Sequence, residues 1–188
     1  MICIIDCGTS WLEEIKENVK ASNHDFDVIK SKEVKNSDFK IFSGIIISGA
    51  PTNLTEINLQ EEYMDIFSFL KNIEIPILGI CLGHQIIGLL NGSEIKAGKL
   101  IDKMEHIEII RENNLFTNIK NQSLFREEHS EYISLPNNFM LLAKSESCNN
   151  EAMKHRDKKI YSTQFHPEVS NINGRKLINN FLEMCNSK

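Results

Sequence analysis

Three short runs of this chain, Ile2–Ile5, Gly44–Ile47 and Ile75–Ile80, are almost continuously apolar and rich in isoleucine. A strand with one wet face alternates apolar and polar residues; a run without alternation is a strand covered on both sides, as in a parallel sheet between helices. Phe26–Ile29 adds a fourth short run. Between them lie stretches of helical period. Trp11–Ala21 puts Leu12, Ile15 and Val19 on one face, and Leu59–Leu70 does the same with Tyr63, Ile66 and Phe67. Strands alternating with helices predict βαβ units and an α/β fold with a mostly parallel central sheet.

Beyond about residue 105 the pattern changes. His106–Ile110, Ser123–Arg126 and Phe139–Lys144 are short and separated by turn residues, Asn113–Asn114 and Pro136–Asn138 among them. They predict a small antiparallel addition before Ile160–Gln164 rejoins the main sheet. A last helix over Gly174–Cys185 would turn Leu177, Ile178, Phe181 and Leu182 inward. With no repeat or linker in view, residues 1–188 are expected to form a single domain.

The formal charge of −5 argues against broad binding to nucleic acid or to an anionic membrane. No apolar run approaches the ~20 residues of a spanning helix. The first residues, MICIIDCGTSW, read as a buried strand and not as a signal peptide, so a cytoplasmic location is expected. The five cysteines are odd in number and lack zinc-type spacing, which predicts neither a disulfide framework nor a metal.

One cysteine stands apart. In Ile75-Pro-Ile-Leu-Gly79-Ile-Cys81-Leu-Gly83-His-Gln a buried strand runs into Cys81 and an amphipathic helix follows at once. Gly-x-Cys-x-Gly copies the logic of the Gly-x-Ser-x-Gly nucleophile elbow, in which a side chain between the strand and helix would collide with neighbouring backbone. The turn puts a sulfur at the C-terminal edge of the sheet and at a helix N-terminus, whose dipole favours a thiolate. The plain alternative is a core cysteine between incidental glycines.

A second segment, Ile160-Tyr-Ser-Thr-Gln-Phe-His166-Pro-Glu168, offers a base and a carboxylate two residues apart. In extended chain both would point the same way, with Pro167 stiffening the link. A cysteine nucleophile needs a base, and the base needs a group to hold its tautomer. Alone, His-x-Glu is a weak signal; behind a cysteine elbow it becomes a triad.

Gly79-Ile-Cys-Leu-Gly-His-Gln85 with Gln164-Phe-His-Pro-Glu168 resembles the class I, triad-type glutamine amidotransferase family, over essentially the whole chain. The resemblance implies a flavodoxin-like α/β fold, a γ-glutamyl thioester intermediate and ammonia as product. It makes Cys81 the nucleophile, His166 the base and then acid, and Glu168 its orienter. It further implies an oxyanion loop at Ile47-Ser-Gly49-Ala50-Pro51, with the backbone amides of Leu82 and Ala50 as donors and Gly49 beside the substrate. Ala50 departs from the usual glycine; an alanine would be strained if the loop required positive φ there. Gln85, Ser130 and Glu131 fall at substrate-binding positions, although Glu128-His-Ser-Glu131 replaces the usual Ser-His-Gly-Asp. His84 is expected to pack or cap near the elbow. His24, His106 and His155 are expected to be structural, and His129 to lie near the substrate.

No ATP-pyrophosphatase loop is present, so the resemblance implies no cofactor in this chain. ATP and magnesium would be used by a separate synthetase subunit that takes the ammonia. Cys148-Asn-Asn-Glu-Ala-Met-Lys-His155, Leu135-Pro-Asn-Asn-Phe139 and the ending His166-Pro-Glu-Val most resemble the glutaminase subunits of archaeal two-subunit GMP synthetases. Asp6-Cys-Gly-Thr-Ser10 departs from the usual Asp-x-Gly-x-Gln. The alternatives are the glutaminase component of anthranilate or aminodeoxychorismate synthase, a γ-glutamyl hydrolase or cysteine peptidase, and a catalytically silent regulatory subunit.

Overall fold

A computed structural model describes residues 1–186. The parallel half of its sheet comprises β1 (Ile2–Asp6), β2 (Phe26–Lys30), β3 (Gly44–Ile47), β4 (Ile77–Ile80) and β9 (Ile160–Thr163). The rest is antiparallel: β5 (Ile95–Ile109), β6 (Ser123–Ile133), β7 (Phe139–Lys144) and β8 (Ala152–His155). Together they form one nine-stranded sheet in the order β2-β1-β3-β4-β9-β8-β7-β5-β6.

The unalternating runs have the cause their sequence suggests. Side chains of successive strand residues go to opposite faces, and both faces are covered. Ile2 and Ile4 of β1 join a core with Ile15 and Val19 of α1 (Leu12–Ala21) and Leu177, Ile178, Phe181 and Leu182 of α4 (Asn171–Asn186). Cys3 and Ile5 go to the other core, with Ile86 and Ile87 of α3 (Leu82–Leu90) and the partly buried Tyr63 of α2 (Ile57–Ile66). Fully burying one such isoleucine contributes about 1.5–3 kcal/mol, so a polar residue in these strands is costly on either face. Helix α2 ends at Ile66 and gives way to a 3-10 turn, Phe67–Asn72, where the sequence predicts a continuous helix to residue 70. Among the described residues no helix is long and apolar enough to cross a membrane.

The antiparallel part is larger than its sequence suggests. β5 begins at Ile95 and β6 runs to Ile133, pairing from Ile95–Ile133 to Ile107–Ser123 with a bulge between Ala97 and Ile101. Much of β5 is exposed, so its side chains show little apolar pattern. Charge holds part of the ribbon instead: Arg126 pairs with Asp102 at 2.6 Å and with Glu128 at 2.9 Å. β8 has no counterpart among the strands expected from sequence. The inward residues of β6 reach from Phe125 in one core to Ile133 in the other. Between them lie Glu127, His129 and Glu131, beside the edge where β4 and β9 end.

Candidate active site

β4 delivers Cys81 directly to the first turn of α3. Cys81 has φ 49° and ψ −101°, a strained conformation for a residue with a side chain. The flanking glycines make the turn possible. A Cβ on Gly79 would lie 2.6 Å from the Gly83 carbonyl oxygen, and one on Gly83 would lie 2.6 Å from that of Ile47. Both obstacles are backbone, which cannot swing aside. Leu82 opens α3, so its amide belongs to the first turn, whose N–H groups a helix leaves without internal partners.

The sulfur sits among polar groups drawn from three elements. Its thiol approaches the Glu128 carbonyl of β6 at 3.8 Å, and Gln164 Nε2 approaches the sulfur at 3.6 Å. Gln164 Oε1 in turn accepts from Gln85 Nε2 at 3.3 Å. Gln164, just past β9, received no role from the sequence, although it lies within the segment that carries His166.

His166 and Glu168 do not lie on an extended strand, contrary to expectation. β9 stops at Thr163, and Pro167–Val169 is a 3-10 turn with proline in its first position. A proline there lacks only an N–H that would have no partner. The His166 N–H donates to the Arg126 carbonyl of β6 at 2.8 Å, and Ser170 Oγ bonds the His166 carbonyl. So held, His166 Nδ1 lies 2.8 Å from Glu168 Oε1, with both residues buried. Burial opposes charge on the imidazole, but the Glu168 carboxylate and the Cys81 sulfur outweigh it and raise His166 well above the usual histidine range. The Trp11 ring meets His166 edge-on, with centroids 4.5 Å apart. Trp11 is a second neighbour the sequence did not single out.

The 47–51 loop lies against both groups. A Cβ on Gly49 would stand 3.0 Å from His166 Cε1 and 3.4 Å from Cys81 Cβ, so only glycine leaves the two free to meet. Ser48 Oγ accepts the Cys7 N–H at 2.9 Å and donates to the Gly49 carbonyl at 2.9 Å. That carbonyl shares a planar trans peptide with the Ala50 N–H, so pinning one fixes the opposite direction of the other. Ala50 is not among the described residues with positive φ, so its methyl group brings no backbone strain.

Two cavities meet at Cys81. One, of about 240 Å³, is lined by residues that include Ala50, Gln85, Leu100 and Glu128–Glu131. The other, of about 110 Å³, lies between Trp11, Pro51 and His166. Gln85 and Ser130 line the larger cavity. Glu131 lines it too, but its carboxylate is engaged elsewhere: it accepts from the Leu54 N–H at 2.7 Å, the Thr55 N–H at 2.9 Å and Thr55 Oγ1 at 2.5 Å. It clamps the segment after the 47–51 loop. His84 is fully buried, its Nδ1 2.9 Å from Ser162 Oγ, and burial, with His129 adding repulsion, lowers it to about 3. It is a neutral packing residue.

A cysteine at a strained strand–helix turn, beside a histidine ion-paired to a carboxylate, can attack a carbonyl carbon and return a proton to the departing group. Residues 3–185 match the family model for class-I glutamine amidotransferases, and the chain belongs to that family. Over 196 aligned residues it is 37% identical to a subunit of the glutamine-hydrolyzing GMP synthase of Methanococcus aeolicus, covering 98% of this chain and 97% of that one. The protein of the same name from Methanosphaera stadtmanae is 42% identical over 146 residues, 76% of this chain and 74% of its own. A crystal structure from Thermoplasma acidophilum, described as that of a GMP synthase subunit, superposes with a TM-score of 0.89 at 27% identity, over 98% of this chain and 92% of that one.

Proposed function

We propose that this chain is the glutaminase subunit of a two-subunit GMP synthase, hydrolysing L-glutamine to glutamate and ammonia. The observation that carries the reading is Cys81 lining one cavity with His166, itself 2.8 Å from Glu168, and a second, larger one of about 240 Å³ with Gln85. The full-length likeness to subunits of glutamine-hydrolyzing GMP synthases supports the choice of pathway.

Glutamine occupies the larger cavity, its side-chain amide over Cys81 and its amino-acid end toward Gln85, Ser130 and the backbone of Glu128–Glu131. Cys81 attacks the amide carbon, and the Leu82 and Ala50 amides hold the oxyanion, each such donor worth about 10²–10³ in rate. His166 protonates the nitrogen as the C–N bond breaks and ammonia leaves. It then takes a proton from water, which attacks the thioester, releases glutamate and returns the thiol. Glu168 holds the imidazole by Nδ1 throughout. Ammonia passes to a separate ATP-pyrophosphatase subunit, which uses ATP and magnesium to aminate XMP to GMP. This chain supplies no cofactor, and its place is the cytoplasm.

The test is reconstitution: this chain, a candidate synthetase subunit, XMP, ATP, magnesium and glutamine, with GMP followed over time. Glutamine-dependent GMP supports the assignment. Glutamate released without GMP, across several candidate partners, would keep the glutaminase and reject this pathway.

A further inference from the structure

Three buried side chains beside the site take no part in the chemistry above. Glu127 and His129 point inward from β6, and Glu151 precedes β8. One ligand atom from each lies within 4.8 Å of the others. Glu127 and Glu151 are 0% exposed and His129 5%. Counted as acceptors, both Glu127 oxygens, His129 Nε2 and Glu151 Oε2 receive no donor, and the Glu127 and Glu151 carboxyls are close enough that only a shared proton or a cation between them would satisfy both. Buried polar atoms are rarely left so, because each unmet group carries its full desolvation cost.

The tautomer of His129 sharpens the point. Its Nδ1 lies 3.2 Å from the Glu131 carbonyl oxygen, which can only accept, so Nδ1 carries the hydrogen. Nε2 of the neutral ring then presents a lone pair, and it does so 3.2 Å from Glu127 Oε2 without hydrogen-bond geometry. With Glu127 ionised, two lone pairs face each other across that gap. A metal-bound histidine usually shows this arrangement, one nitrogen donating to a carbonyl and the other turned to the ion. Ser145 Oγ donates to Glu151 Oε1, while Glu151 Oε2 receives no donor. Burial without a cation opposes charge on both carboxyls; once ionised, two carboxylates and a neutral imidazole would be brought to neutrality by one divalent cation.

We propose that Glu127, His129 and Glu151 bind a divalent transition cation of the zinc class, through His129 Nε2 and a carboxylate oxygen from each glutamate. The imidazole disfavours magnesium and calcium, and a nitrogen-and-oxygen set suits zinc at about 2.0–2.2 Å per ligand. A fourth position would be open to water. The ion would tie β6, which forms one wall of the glutamine cavity, to the segment entering β8. Cysteine spacing gave no sign of it, since no cysteine is involved.

The experiment uses the full chain carrying Cys81→Ala, so that the active-site thiol cannot bind metal. After dialysis against a chelator, zinc is added, excess is removed, and retained metal is measured by elemental analysis alongside Tm. About one equivalent should be retained, and in a separate melt with free zinc held at a hundredfold excess over Kd the Tm should rise by about 5 °C. Cobalt in its place should give d–d bands without thiolate charge transfer. Glu127→Gln and Glu151→Gln, which remove buried charge and so should still fold, are expected to lose the metal and the Tm response. No retained zinc would overturn the proposal, as would equal retention by both glutamine variants. Metal-free Glu127→Gln melting higher than a parent that binds no zinc would show that the two carboxyls share a proton instead.

Discussion

His166 and Glu168, separated only by Pro167, form a buried ion pair with Nδ1 and Oε1 2.8 Å apart, and a 3-10 turn brings them together. Because Glu168 reaches the sulfur only through the imidazole, the three triad positions should not fail equally. Cys81→Ala and His166→Ala should abolish measurable glutaminase turnover in the complex. Glu168→Ala should be milder by about two orders of magnitude, as with the orienting carboxylate of a hydrolytic triad. Steady-state glutamate release measures this; equal losses would show that Glu168 is needed for folding or for the charge itself.

The same pair predicts a dependence of stability on pH. His166 holds its proton above the unfolded value of 6.5, because Glu168 and the Cys81 sulfur outweigh the burial that opposes its charge. A raised folded pKa gives stability that is complete below about pH 6.5 and is lost as pH climbs through the folded value. His166→Gln removes that contribution, so its Tm should fall less steeply than the parent's between neutral and alkaline pH. Parallel thermal-melt curves for the two proteins would contradict this.

Ser48 is a positioning residue outside the triad. Its hydroxyl fixes the Gly49–Ala50 peptide from the side of β1, so Ser48→Ala should let the Ala50 amide wander. We expect kcat to fall by roughly tenfold with little change in KM, less than the 10²–10³ of losing a donor outright. A threonine, which keeps the hydroxyl, should restore much of the rate. Loss appearing in KM alone would place Ser48 in substrate binding.

Glu131 tests the clamp. Removing a buried carboxylate that accepts from Leu54, Thr55 and the Thr55 hydroxyl leaves those donors unmet, at a cost on the order of 3 kcal/mol. Glu131→Ala should therefore lower Tm by several degrees and raise the KM for glutamine as the cavity wall loosens. An unchanged Tm with a raised KM would mean that the carboxylate meets the substrate directly.

The parallel half of the sheet and the elbow were legible in the sequence because each rests on local rules. Isoleucine runs without alternation need cover on both faces, and glycines at 79 and 83 need backbone within reach of a Cβ. The β5–β6 ribbon was only partly legible, since Lys96–Met104 is exposed and held by cross-strand charge, which leaves no apolar period. The route to the His166–Glu168 pair differs from the expected strand because Pro167 opens a 3-10 turn with His166 as its N-cap, a local geometry that residue spacing alone does not reveal. Gln164, Trp11 and Ser48 were passed over for another reason: their partners lie more than 40 residues away, and only the folded sheet edge brings them to the site.

The most direct test of the central claim is ammonia rescue of Cys81→Ala within the reconstituted complex, with GMP formation read in parallel assays. The account predicts that glutamine no longer supports GMP formation while added ammonium salt supports it at the parental rate. Glutamine-driven GMP surviving the substitution would show that another group performs the hydrolysis and that Cys81 is not the nucleophile.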